Sequence, residues 1–189
     1  MTIVPEFQAF FDHCVGQWAT ERTYHYLMDQ EVERSHTEFL IQPIDTRFKA
    51  KVLEDNQYST DLNLEQIPGY QLAFQTISER GDTVSQQLNF LFVLQNVDLP
   101  GVTGDYLRDK AYEESKPMIS QFRYDINTRE LLMTTTYTRV VSVDSITLIS
   151  PILRIRKILN YKRPPEQQPL ETVVLAGFGV EQKQLSPVV

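Results

Sequence analysis

The feature that most constrains this chain is its texture from about residue 35 to residue 182. Short apolar or alternating segments are separated by turn signals, with no helical pattern between them. Thr37–Ile41, Phe48–Leu53 and Tyr70–Phe74 carry apolar residues at period two or in short runs. Arg80-Gly81-Asp82 reads as a tight link into a long run from Val84 to Leu94, and Asp125–Arg129 reads as a second hairpin loop. Leu131–Val141 and Ile146–Ile158 follow, rich in Thr, Val and Ile, and Glu171–Val180 makes a closing strand. About ten strands with short connections predict an all-β antiparallel up-and-down barrel or a sandwich rather than a βαβ fold. Closing a barrel removes exposed edges and creates an interior wide enough for one small ligand.

Ahead of the strands, Phe7, Phe10, Phe11, Cys14, Val15 and Trp18 recur at spacings of three and four. They predict a helix over about residues 5–18, opened by Pro5 and apolar on one face. Lys162–Pro169 is Pro-rich and polar and is expected to form a mobile loop before the last strand; the tail after Gln184 is expected to be disordered. At 189 residues the chain suits one domain over 1–189.

Composition removes several function classes. The formal net charge of −7 argues against nucleic-acid binding, which needs clustered Lys and Arg. One cysteine, Cys14, allows no internal disulfide, and its place on the helix stripe marks it as a core residue. The segment Met1–Glu6 lacks the basic and apolar regions of a secretory signal, and the longest apolar runs are too short to span a bilayer. A cytoplasmic protein without a membrane span is expected. Seven glycines leave little material for a phosphate loop, and no Cys/His cluster has metal-ligand spacing, so no metal is expected.

Two segments could carry chemistry. In Trp18–Leu27, Arg22 and His25 stand among aromatic rings; these rings either pack a barrel floor or form a pocket wall where Arg22 and His25 meet a polar ligand group. In Ser150–Lys157, Arg154 and Arg156 share one strand face. Turned inward, they need anionic partners in a low-dielectric cavity, and a ligand carboxylate fits their fork; turned outward, they form a solvated basic edge. The pattern is compatible with both orientations.

These segments resemble the S-type bilin lyases of the CpcS/CpeS family. The resemblance rests on three blocks in the family's order. The first is Gly16-Gln17-Trp18 followed by Arg22-Thr23-Tyr24-His25-Tyr26-Leu27. The second is Leu107-Arg108-Asp109-Lys110-Ala111-Tyr112 with Leu132-Met133-Thr134-Thr135-Thr136-Tyr137. The third is Ser150-Pro151-Ile152-Leu153-Arg154-Ile155-Arg156, in which Ile152 replaces the family's Asn.

The resemblance implies a barrel like those of lipocalins and fatty-acid-binding proteins, with an N-terminal helix. It implies attachment of a linear tetrapyrrole, phycocyanobilin or a relative, to a cysteine of a phycobiliprotein subunit, with the bilin as substrate and no tightly bound cofactor. Arg154, Arg156 and Arg22 would then contact the chromophore's propionates or rings, beside Trp18, and His25, Tyr137 and Asp144 would orient or protonate it. Implied partners are the acceptor subunits and a second copy or a related lyase subunit. The implied compartment is a cyanobacterial cytosol or a plastid stroma. A non-catalytic bilin-binding subunit, and a carrier of fatty acids or other apolar anions, are the alternative roles for the same barrel.

Overall fold

The computed structural model describes residues 4–109 and 119–185. A short helix α1 (Pro5–Cys14) leads into β1 (Gly16–Tyr26) and β2 (Glu31–Pro43). A second helix, α2 (Thr46–Asp55), and a 3₁₀ turn (Leu64–Gln66) precede β3 (Gly69–Ser78). The chain continues as β4 (Thr83–Asp98), β5 (Gly101–Arg108), β6 (Ile119–Asp125), β7 (Glu130–Thr136), β8 (Val140–Ser150), β9 (Leu153–Lys162) and β10 (Val173–Lys183). These ten strands close into an antiparallel barrel in sequence order, with β10 returning to pair with β1. The expected all-β up-and-down barrel with an N-terminal helix is the fold observed.

The helix is shorter than the apolar stripe suggests. It ends at Cys14 because Val15 is extended and Gly16 takes a φ of +124°, a conformation that side-chain-bearing residues rarely adopt. Trp18 therefore belongs to β1. Its Nε1 donates to the carbonyl of Cys14 at 2.8 Å, satisfying an acceptor that the helix end leaves open.

Phe48–Leu53, expected as a strand, is the body of α2. The alternation of Phe48, Ala50 and Val52 is outweighed by Asp45, whose side chain caps the helix by accepting from Phe48 N at 3.0 Å. Lys49 and Val52, three residues apart, are the side chains this helix buries. The expected run Leu131–Val141 is interrupted between β7 and β8, and Ile146–Ile158 is interrupted at Pro151-Ile152, where proline cannot continue the ladder. Ser150 thus ends β8 and Ile152 sits in the turn, so neither lies on the β9 face shared by Arg154 and Arg156. The Pro-rich stretch falls in the β9–β10 connection. Lys110–Tyr112 of the second block and most of the expected disordered tail lie outside the described residues.

Two cores hold the barrel. Inside, α1 plugs one end: the Phe7 ring stacks on Phe122 at 5.4 Å, and the Phe11 ring stacks on Tyr70 at 5.1 Å. Burying each such ring stabilises the fold by about 1.5–3 kcal/mol. Outside, α2 and the 3₁₀ turn cover Leu91, Val93 and Leu107 of β4 and β5 with Ile44, Val52 and Ile67. This second cover makes β4 buried on both faces from Leu91 to Leu94, which is why that stretch reads as an unbroken apolar run.

Candidate functional site

Above the α1 plug the barrel encloses a cavity of about 380 Å³. That volume lies in the range of small-molecule sites. Alternation along β1 turns Trp18, Thr20, Arg22 and Tyr24 inward and Glu21, Thr23 and His25 outward. On β9 the same rule turns Arg154 and Arg156 inward; both line the cavity. The chain buries guanidinium groups here because it supplies their counter-ions from neighbouring strands.

Arg154, 3% exposed, donates from Nε and Nη2 to Oε2 of Glu181 on β10, at 2.9 and 2.6 Å. Its guanidinium lies 4.4 Å from the centre of the Trp18 ring, which in turn stacks on Phe39. Burial works against the Arg154 charge, and Glu181 together with Cys14 offsets this, holding the group above its ordinary range. Arg156 grips Asp144 of β8 in a fork, Nε reaching Oδ1 and Oδ2 at 3.0 and 3.1 Å while Nη2 also bonds Oδ2. Burial again opposes the charge and Asp144 raises it.

Arg22 differs. It lines the cavity and has no carboxylate within ion-pair distance among the described residues. Burial, and then the nearby charge of Arg156, push its guanidinium below the ordinary arginine range. Room for Arg22 and Tyr24 comes from β10, where Gly177 and Gly179 face them. A Cβ at Gly177 would fall 2.6 Å from Tyr24 Cε1, and one at Gly179 would fall 3.3 Å from Arg22 Cγ.

The cationic wall faces a polar spot and an apolar wall. Arg108 at the end of β5 donates from Nη2 to the Tyr137 hydroxyl at 2.9 Å. That oxygen accepts, so its own proton is directed elsewhere. Burial pushes the nearby Tyr106 hydroxyl up to about 12, so it stays protonated at neutral pH. Phe74, Leu88, Phe90, Met133 and Ile146 supply flat or flexible apolar surface. Cys14 lines the floor, and burial raises its thiol pKa. Among the described residues no group of three or more His, Cys, Asp or Glu side chains could hold a metal ion, and no helix is long and apolar enough to cross a membrane.

Of the residues singled out from the sequence, Arg22, Arg154, Arg156 and Tyr137 line the cavity. Asp144 joins them through Arg156, and Trp18 lies directly beneath Arg154. His25 does not join them. Its side chain is exposed on the outer face of β1, one residue out of phase with Arg22 and Tyr24. The sequence reading missed Glu181, because the closing strand was ended at Val180, and assigned no role to Arg108, Tyr106 or Tyr24. Glu181 could have been found from the alternation Gly177, Gly179, Glu181, which puts small residues and a carboxylate on one face.

Known proteins share this architecture. A family model described as CpeS-like protein matches residues 6–184. A curated relative from Synechococcus sp. (strain JA-3-3Ab), named chromophore lyase CpcS/CpeS 1, is 52% identical over 183 residues, covering 97% of this chain and 99% of its own length. The solved structure of the S-type phycobiliprotein lyase CPES from Guillardia theta superposes with a TM-score of 0.74 at 15% identity, over 95% of this chain and 93% of that one.

Proposed function

Because this chain belongs to the CpeS-like family, we propose that it is a chromophore lyase that binds a linear tetrapyrrole in its barrel and joins it by a thioether bond to a cysteine of a phycobiliprotein subunit. The reaction is addition. The acceptor's sulfur bonds to the ethylidene carbon of ring A, the double bond is lost, and the thiol's proton is balanced by one delivered to the tetrapyrrole. Nothing is oxidised or reduced. The attacking thiol belongs to the acceptor, which fits a cavity that holds cations and tyrosines but no activated nucleophile.

The observation that carries the site assignment is Arg22, a guanidinium facing the cavity without a carboxylate. A propionate placed there would supply the counter-charge that offsets both the cost of its burial and its repulsion from Arg156. Arg154 and Arg156 spend Nε and Nη2 on Glu181 and Asp144, so their part is to fix the wall and to offer their remaining N–H groups. Tyr137, oriented by Arg108, is the proton donor nearest in chemistry to what the addition needs. The apolar wall holds the rings in one extended shape, which is the main service a lyase renders to a flexible chromophore. We assign phycocyanobilin or a close relative as substrate. We place the reaction where phycobiliproteins are assembled, the cyanobacterial cytosol or the plastid stroma.

The test is optical. Titrating the protein with phycocyanobilin should give a saturable, red-shifted and sharpened absorption band, as one rigid conformer replaces many. A band that keeps the shape of the free pigment at saturating protein would defeat the proposal.

A further inference from the structure

The described residues leave one approach to the chromophore. Every strand is hydrogen-bonded on both edges, and α1 fills one end with Phe7, Phe10 and Phe11. Among the described residues, a protein thiol must therefore come through the opposite end, where the β7–β8 and β9–β10 turns lie beside the β1–β2 and β3–β4 hairpins. These two hairpins carry an apolar surface. Leu27 and Met28 at the first tip are 48% and 72% exposed, and Ile77 and Val84 flank the second. Val84 also lines the cavity, so the second hairpin reaches the site.

The hairpins are braced as one lip. Glu79 N donates to Arg34 O at 2.8 Å, and Arg34–Glu79 and Arg80–Glu31 pair across them at 3.7 and 3.9 Å. This bracing consumes both arginines. Asp29, Glu33 and Asp82 remain without a cationic partner among the described residues. The lip thus combines exposed apolar side chains with residual negative charge.

We propose that this lip is the docking surface for the acceptor protein. It takes an acceptor face that presents apolar side chains, bordered by Lys or Arg, beside the cysteine to be modified. The proposal rests on the lyase reading above, since only a macromolecular acceptor needs to be seated at the mouth. Apolar contact at the tips supplies affinity, and the carboxylates steer the approach.

The experiment compares wild type with a Leu27→Asp/Met28→Asp variant and with Asp29→Lys. Each protein is loaded with phycocyanobilin. Acceptor binding is measured by fluorescence anisotropy with a labelled apo-subunit whose cysteine is replaced by serine, and transfer is measured with the unmodified subunit. The double variant should keep bilin affinity within about twofold and weaken acceptor binding by about tenfold or more, as loss of central apolar anchors does. Asp29→Lys should weaken binding at low salt and flatten its salt dependence. Unchanged acceptor binding in the double variant, with bilin affinity intact, overturns the proposal. So does a wild-type dimer that the double variant dissolves without any change in acceptor binding, which would assign the lip to self-association. A wild type that binds the acceptor through the lip yet transfers no bilin overturns the lyase reading and leaves the docking surface standing.

Discussion

Replacing Arg22 by Gln separates ligand binding from folding. In the ligand-free protein Arg22 has no carboxylate to lose, and both burial and Arg156 already oppose its charge. The substitution should therefore leave the free-energy difference between folded and unfolded chain within about 1 kcal/mol of wild type, a shift of no more than about 2–4 °C in Tm for a domain of this size. With bilin present it removes a charge-assisted hydrogen bond to a propionate, a loss of about 1.5–3 kcal/mol and so about ten- to a hundredfold in Kd. Arg154→Ala should behave in the opposite way. It strips both donors from Glu181, whose side chain is 1% exposed, and leaves a buried, unpaired carboxylate. That costs about 3–5 kcal/mol of stability. Thermal unfolding without ligand and absorbance titration with phycocyanobilin measure the two quantities on the same preparations. An Arg22→Gln protein that unfolds as early as Arg154→Ala would show that the charge of Arg22 is needed by the fold itself, and one that binds bilin as wild type does would show that the propionate is held elsewhere.

Three further outcomes follow from the same geometry. Replacing both members of the buried pair, Arg154→Met with Glu181→Leu, should recover most of the stability lost in Arg154→Ala, since no charge is then stranded; thermal unfolding that stays as low as in the single variant would contradict the pairing. Cys14→Ala should transfer bilin to an acceptor subunit at the wild-type level, because burial keeps this thiol protonated and the reacting sulfur belongs to the acceptor; complete loss of the covalent product in a folded Cys14→Ala protein would assign Cys14 a chemical role. Gly177→Ala should press on the Tyr24 ring, since its Cβ would lie 2.6 Å from Tyr24 Cε1, and weaken bilin binding more than it lowers Tm; an unchanged titration would show that the ring moves aside at no cost to the cavity.

Period-two patterning carried most of the barrel, because antiparallel strands with one wet face must alternate. It also brought Arg154 and Arg156 to one face. It failed at Phe48–Leu53, where three alternating apolar residues mimic a strand and the deciding information is the cap at Asp45 and a second core outside the barrel. Helical spacing failed in turn at Trp18, which continues the apolar stripe in sequence while Gly16 has already turned the chain. The site was half legible. Residue type showed which cations were present, but their partners lie far along the chain: Glu181 is 27 residues from Arg154, and Asp144 is 12 from Arg156. Only strand order makes them neighbours, and that order is what gives Arg154 and Arg156 carboxylate partners inside the barrel while both still line the cavity. His25 shows the reverse hazard, since chemical aptitude says nothing about facing, and one step along a strand changes sides.

The central claim is covalent transfer. Purified protein loaded with phycocyanobilin and mixed with an apo-phycobiliprotein subunit should produce a subunit that keeps its colour under denaturing electrophoresis and gains the mass of one chromophore. The product should carry a single spectral species, formed faster than with free pigment. A subunit that remains colourless after denaturation, or that acquires the same adduct at the same rate without the protein, would contradict it.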